Sequence, residues 1–381
     1  MAGRSTIAVA TAALVIVPLV FDPASARPFV GSKVVATLAC GALAVAAVTV
    51  TGGVGRLWRP ALWAGAAYVA SLAIASAFSL APVISVAGDY YRGMGLVTRL
   101  ALVAIGLAAA VGVAAEPQRA IVLLRCTLTL GTVVAVYTIA QLVGLDPVID
   151  SSWLEQTSRS GVPELRAVST LGHANFVGQF LLFGTGAAAG LLAFETNRVA
   201  RAAVVAAGLV VATGVVAAGS RGAWLGLAVQ VVAALVIAWR RGTINMFRKK
   251  SLGVIGLVAA IVVAVALAFG LSPAGRHIAE RARTFQTDAM TGSSRTLLWR
   301  DALPMVPRYL PTGCGPEAFV LAFLPYIHAD LERAEPYALF DSSHNVPLDY
   351  AISTGALGLG SWIALVAIGL SKNRTCEVRP S

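Results

Sequence analysis

Residues 198–241 read RVARAAVVAAGLVVATGVVAAGSRGAWLGLAVQVVAALVIAWRR. Two apolar runs, 200–218 and 222–239, are joined by the short turn Gly219-Ser220-Arg221-Gly222, and arginines close both outer ends. A helix needs about 20 apolar residues to cross the hydrocarbon core of a bilayer. The stretch therefore reads as a transmembrane hairpin. Its doubly basic ends mark the cytoplasmic side, which leaves Arg221 alone at the opposite boundary.

The same pattern recurs outward in both directions. Apolar runs of spanning length lie at 6–21, 29–51, 60–79, 94–114, 120–143, 174–194, 252–272 and 345–370. With the hairpin this gives an all-α polytopic membrane protein of about ten transmembrane helices, a single integral membrane domain over 1–381. Their Ala, Val, Leu and Gly content suits helices that pack closely in lipid. Composition agrees: 57% of the 381 residues are hydrophobic and only 12% charged, and mean hydropathy is +0.79. A soluble domain carries roughly 25% charged residues, so a soluble enzyme, a nucleic-acid-binding module and a disordered chain are excluded together. Residues 1–26 also fit a cleaved leader, with Arg4 before the apolar run and Ala24-Ser25-Ala26 at the cleavage position.

Alternation from a cytoplasmic N-terminus divides the charge unevenly. The inner side receives 15 basic residues against Glu116, Glu195 and Glu377, a net +12, and the outer side keeps 14 basic against 15 acidic, a net −1. The overall +11 is therefore a topology signal and not a nucleic-acid footprint. The run Arg240–Lys250 reads as a cytoplasmic anchor against anionic lipid. The expectation is a multi-pass protein of the inner or plasma membrane with both termini cytoplasmic and the active face extracytoplasmic. Two outer loops, 144–173 and 273–343, exceed what a connector needs, and the larger is expected to carry short helices. All four histidines, His173, His277, His328 and His344, fall on the outer side. Cys314 has no partner cysteine there, so no disulfide is expected. No CxxC, HExxH or phosphate-loop pattern occurs, and nothing calls for a metal or cofactor.

Four constellations carry candidate chemistry. Arg221 between glycines is either a turn residue snorkelling to the interface or a forked phosphate ligand. Ser294–Arg300 opens a helix on which Arg295 and Trp299 share a face, followed by the tight turn Pro311-Thr312-Gly313-Cys314-Gly315-Pro316. His344-Asn345 precedes the last run; His344 is either a helix-start cap or a proton acceptor, with Asp341 and Asp349 available to orient it. At the sixth run, Asn175 reads as the helix cap and His173 as a headgroup contact.

In order and topology these pieces resemble the O-antigen ligase/polymerase superfamily. Gly172-His173-Ala174-Asn175-Phe176, Ser220-Arg221-Gly222-Ala223-Trp224, Arg295 with Trp299 and Pro311–Gly315, and His344-Asn345 with Thr354-Gly355 carry the resemblance, and Tyr90–Gly95 adds to it. They cover about 90–360. The family is one of membrane glycosyltransferases of the C-type that use a lipid-diphosphate-linked glycan. The resemblance implies an undecaprenyl-diphosphate-linked donor and a lipid, glycan or protein acceptor among membrane lipids. It assigns Arg221 and Arg295 to the diphosphate and His344 to the base, with Arg300, His173, Arg92 and Trp299 in supporting roles. Members usually carry at least one span more after the large loop, which raises the expectation of a shortened or inactive copy.

The chemistry of the residues fits metal-independent, single-displacement transfer with inversion. Arginines would stabilise the leaving diphosphate and His344 would take the acceptor proton. A double displacement would need a carboxylate nucleophile, for which Glu317 and Asp341 remain open. Ligation of a glycan to a surface acceptor and polymerisation of the lipid-linked glycan share the motifs. A transporter or flippase would place ionisable groups near span centres, whereas Lys33, Arg99 and Arg125 lie toward span ends. Reporter fusions near residues 245 and 320 should report opposite sides of the membrane; agreement between them would overturn the ten-span reading.

Overall fold

The computed structural model describes residues 2–146, 148, 155–157, 163–165, 167–240, 294–336 and 338–371. The expected span 252–272, most of the Arg240–Lys250 anchor, Arg159, Arg166, His277 and the tail after residue 371 lie outside them. Among the described residues the structure is helical, with a small antiparallel ribbon, β1 (Glu155–Thr157) against β2 (Pro163–Leu165). Two compact units form: Met1–Val17, Val30–Arg119 and Asp288–Val378 make the first, and Pro18–Phe29, Ala120–Thr287 and Arg379–Ser381 the second.

Among the described residues, six helices are long and apolar enough to cross a membrane: α2 (Gly31–Thr51), α3 (Arg59–Ala77), α5 (Leu96–Ala115), α6 (Arg119–Leu142), α7 (Ala174–Leu192) and α8 (Arg198–Ala217). Between 17% and 39% of each such window is buried inside the protein, so the larger part of every one of them faces outward. Outward-facing apolar surface on this scale needs lipid, not water. The runs at 6–21 and 222–239 also fall on helices, α1 (Ala2–Leu19) and α9 (Arg221–Arg240).

In the first unit, α2 lies against α5, with Ala44, Val48 and Ala108 buried between them. Gly41 permits the approach, because a side chain there would meet the Ala101 backbone at 2.7 Å. Small residues do this work where lipid-embedded helices gain no hydrophobic force from meeting each other. The short helix α4 (Pro82–Ala87) precedes α5. Downstream lie α10 (Ser294–Ala302), α11 (Val306–Tyr309), α12 (Phe319–Phe323) and α13 (Ala329–Ala334), each too short to cross a bilayer. They enclose a core of Leu298, Met305, Phe319, Phe323, Leu331 and Ile352. The second unit packs α7 against α8 and α9 around Val177, Leu181, Val211 and Val215.

The run 345–370, expected as one span, is two helices: α14 (Val346–Ser353) and α15 (Gly355–Leu370). The turn Pro311–Pro316 causes the break. Cys314 N–H donates to the Ile352 carbonyl at 2.8 Å, Gly315 N–H to that of Ser353 at 3.1 Å, and Ala356 N–H to that of Leu310 at 2.6 Å. The last carbonyls of a helix lack intrahelical donors; here the turn supplies them, so α14 stops and the chain restarts. Gly313 and Gly355 hold left-handed backbones, with φ of 85° and 71°, and a side chain at Gly313 would collide with the Ser353 carbonyl. Gly313→Ala should therefore cost at least about 2 kcal/mol, read as a lowered unfolding temperature of the detergent-solubilised protein. Unchanged stability would show that the turn does not enforce the break.

Candidate functional site

His344 is exposed, on a left-handed backbone with φ 52°. It is not the cap of the following helix. Asn345 is, its side-chain oxygen accepting from Leu348 N–H at 3.3 Å. What holds His344 is the residue before it. Ser343 is buried, its N–H and hydroxyl both donate to Asp349 Oδ1, at 2.6 and 2.7 Å, and its carbonyl accepts from Trp299 Nε1 at 2.9 Å. A left-handed backbone on a residue with a side chain costs about 1–3 kcal/mol and persists only where its surroundings impose it. The Asp349–Ser343–Trp299 clamp imposes it here. Asp349 thus orients His344 through the backbone, while Asp341 reaches it through a hydroxyl: Ser342 Oγ lies 3.3 Å from Asp341 Oδ1 and 3.2 Å from His344 Nδ1.

Arg92 joins this loop to a second strained residue. Its Nη1 donates to the Asp341 carbonyl at 3.0 Å and pairs with Asp341 Oδ2 at 3.1 Å. Its Nε faces Glu317 Oε1 at 3.6 Å, and Glu317 Oε2 accepts from Met94 N–H at 3.3 Å. The Glu317 side chain is 1% exposed, and its backbone is left-handed with φ 62°. Among the described residues, the other non-glycine residue with positive φ is Ser169. Two of these three positions are therefore linked through Arg92, Glu317 directly and His344 by way of Asp341 and Ser342. Both oxygens of Glu317, which the sequence left open as a nucleophile, are engaged and shielded.

The arginines of α10 divide. Arg295 is exposed, and among the described residues no carboxylate pairs with it; it shares a helix face with Trp299, which touches the His344 loop. Arg300 is committed elsewhere: Nε donates to Asp301 at 2.8 Å and Nη1 to Asp330 at 3.1 Å. Asp301 is fully buried. Its Oδ2 accepts from the His328 N–H at 3.0 Å, and the His328 ring Nδ1 lies 3.0 Å from Oδ1. Burial alone would raise the Asp301 carboxyl; the hydrogen bonds from Arg300 and the His328 backbone, with the charges beside it, outweigh that and hold it below its ordinary value. Arg300 thus anchors α10 to α13. Cys314 is also structural, as burial pushes its thiol up to about 12, far from the thiolate that reacts.

Arg221 and His173 belong to the second unit. Arg221 is half-buried at the start of α9, after Gly219, which holds φ 64°. The turn sits close to α7, since a side chain at Gly178 would meet Ala223 Cβ at 2.6 Å. Trp224 Nε1 donates to the Val216 carbonyl at 3.2 Å and closes the hairpin. His173, and not Asn175, caps α7: its Nδ1 accepts from Asn175 N–H at 3.1 Å. A neutral imidazole can accept through nitrogen as an asparagine oxygen does, which residue-type preference for caps does not anticipate. Glu317, Ser343 and the Asp301–His328 pair were not marked by any spacing; their roles arise from contacts between distant segments.

Residues 206–363 match the family model described as O-antigen ligase. The matched stretch contains Arg221, Arg295 and His344 and excludes Arg92 and His173. It supports the resemblance to the O-antigen ligase superfamily, whose members are membrane enzymes acting on polysaccharide. No curated protein and no solved structure matches the chain.

Asp301→Asn tests the anchor role. The substitution removes the buried anion to which Arg300 and the His328 N–H donate and should cost about 1–3 kcal/mol at neutral pH. Since the folded carboxyl lies below its unfolded value of about 3.9, the stabilisation is complete above that pH. It is lost as pH falls through the folded value. Thermal unfolding of the two proteins should differ fully at pH 5 and converge below about pH 3.9; a pH-independent gap would contradict the assignment.

Proposed function

We propose that the chain transfers a glycan from an undecaprenyl-diphosphate carrier to a surface acceptor, on the outer face of the membrane. The observation that carries the reading is that the segment matching O-antigen ligase contains Arg221, Arg295 and His344, and that His344 is exposed on a backbone held in a strained turn. In this reaction the acceptor hydroxyl attacks the anomeric carbon, and the bond to the diphosphate oxygen breaks with its electron pair. The hydroxyl proton passes to His344. Negative charge grows on the leaving phosphate, which preorganised cations stabilise without a metal. Arg295, unpaired among the described residues, keeps its planar fork open for phosphate oxygens. The resemblance assigns Arg221 the same role.

The engagement of both Glu317 oxygens and the pairing of Asp341 with Arg92 support a single displacement with inversion. A general base contributes about 10²–10⁴ in rate. His344→Asn removes the base while keeping a residue that tolerates a left-handed backbone. It should lose transfer by that factor and still bind the lipid-diphosphate donor. Arg221→Lys should instead weaken donor binding, because an ammonium makes no forked contact. Wild-type transfer by purified His344→Asn protein would remove the histidine from the mechanism. In cells, deletion should leave long lipid-linked chains unattached; accumulation of single repeat units would indicate a polymerase instead.

A further inference from the structure

The side chains between Glu317 and His344 form one unbroken path. Glu317, buried, faces Arg92; Arg92 pairs with Asp341; Asp341 Oδ1 accepts from Ser342; and Ser342 Oγ lies against His344 Nδ1. Proton counting along this path leaves two arrangements, in which the Ser342 hydroxyl donates either to Asp341 Oδ1 or to His344 Nδ1. A carboxylate can only accept, and a serine hydroxyl has one proton to give. With the Ser342 proton directed to Asp341, the Ser342 oxygen presents only lone pairs to the imidazole. Nδ1 must then be the donor. In that arrangement a neutral His344 carries its proton on Nδ1 and its lone pair on Nε2, across the ring from Ser342.

We propose that Ser342 is a positioning residue that relays the Arg92-anchored Asp341 carboxylate to His344. It fixes the tautomer in which Nε2 is free to accept the acceptor hydroxyl's proton. The catalytic consequence rests on the reading of His344 as the base; the tautomer itself does not. The relay also explains the investment in Glu317. A guanidinium held only by exposed Asp341 would swing with the loop, whereas a buried carboxylate tied to Met94 N–H fixes its other edge. His173 supplies an internal contrast. Its Nδ1 accepts from Asn175 N–H, so its proton lies on Nε2, the opposite tautomer.

The test uses the full chain in lipid nanodiscs, labelled with ¹⁵N-histidine, above neutral pH. There are four histidines to resolve, and His344→Asn identifies the signal of interest by its loss. Wild-type His344 should give the Nδ1–H signature. Ser342→Ala should abolish that preference and lower kcat about tenfold at unchanged KM, a fraction of the 10²–10⁴ that a general base is worth. Ser342→Thr, which keeps the hydroxyl, should restore both. An Nε2–H signature in the wild type, or an unchanged Nδ1–H signature in Ser342→Ala, overturns the relay; the first reading needs no variant to fold. A shifted tautomer in Ser342→Ala with unchanged kcat upholds the relay and rejects His344 as the base.

Discussion

The turn at 310–316 is the contact on which the rest of the first unit depends. Its N–H groups terminate α14 at Ile352 and Ser353, and its carbonyls reach the other way. Leu80 N–H donates to the Cys314 carbonyl at 3.3 Å, and Ser85 Oγ to that of Pro316 at 2.7 Å. One loop thus joins the segment before α4 to the break between α14 and α15. It can do so because Gly313 and Gly315 adopt backbone angles closed to other residues and bring the main chain to within hydrogen-bonding distance of both neighbours. The residue that leaves this turn is Glu317, and the helix it terminates is the one that His344 precedes. Backbone hydrogen bonds at this turn and the Arg92 side-chain contacts therefore both bear on the separation between the two strained residues.

Electrostatics then sorts the cations into structural and available ones. Buried carboxylates are costly unless paired, and each one in this unit has collected partners: Asp301 takes Arg300 and the His328 N–H, and Glu317 takes Arg92 and the Met94 N–H. Each of these arginines is held along one edge by a buried carboxylate, which commits it to the fold. Arg295, one helical turn from Trp299, carries no such obligation among the described residues.

Much of this was legible in the residues. Hydrophobic runs and basic ends identify spans directly, because lipid admits helices with satisfied backbones and few alternatives. The apolar hairpin around Arg221 and the spans from Gly31 to Leu142 needed no tertiary information. The break at Thr354 was hidden, since apolar composition continues through it and only a turn some forty residues earlier ends α14. Cap assignments failed for a related reason: His173 and Asn345 cap their helices, where residue preference favoured Asn175 and left His344 open. Both choices turn on which side chain the entering chain direction aims at the first free N–H groups.

Sequence alone determined the class, the approximate spans and the residue types available for phosphate and proton chemistry, because these follow from transfer free energies and intrinsic side-chain properties. Tertiary structure alone decided which of those residues are free. Arg300 is consumed by Asp301 and Asp330, Glu317 is shielded by Arg92 and Met94, and His344 is poised by Ser343 and Ser342. Each outcome depends on a contact between segments far apart in the chain or on a turn angle imposed by such a contact. Neither leaves a periodic trace in the order of the amino acids.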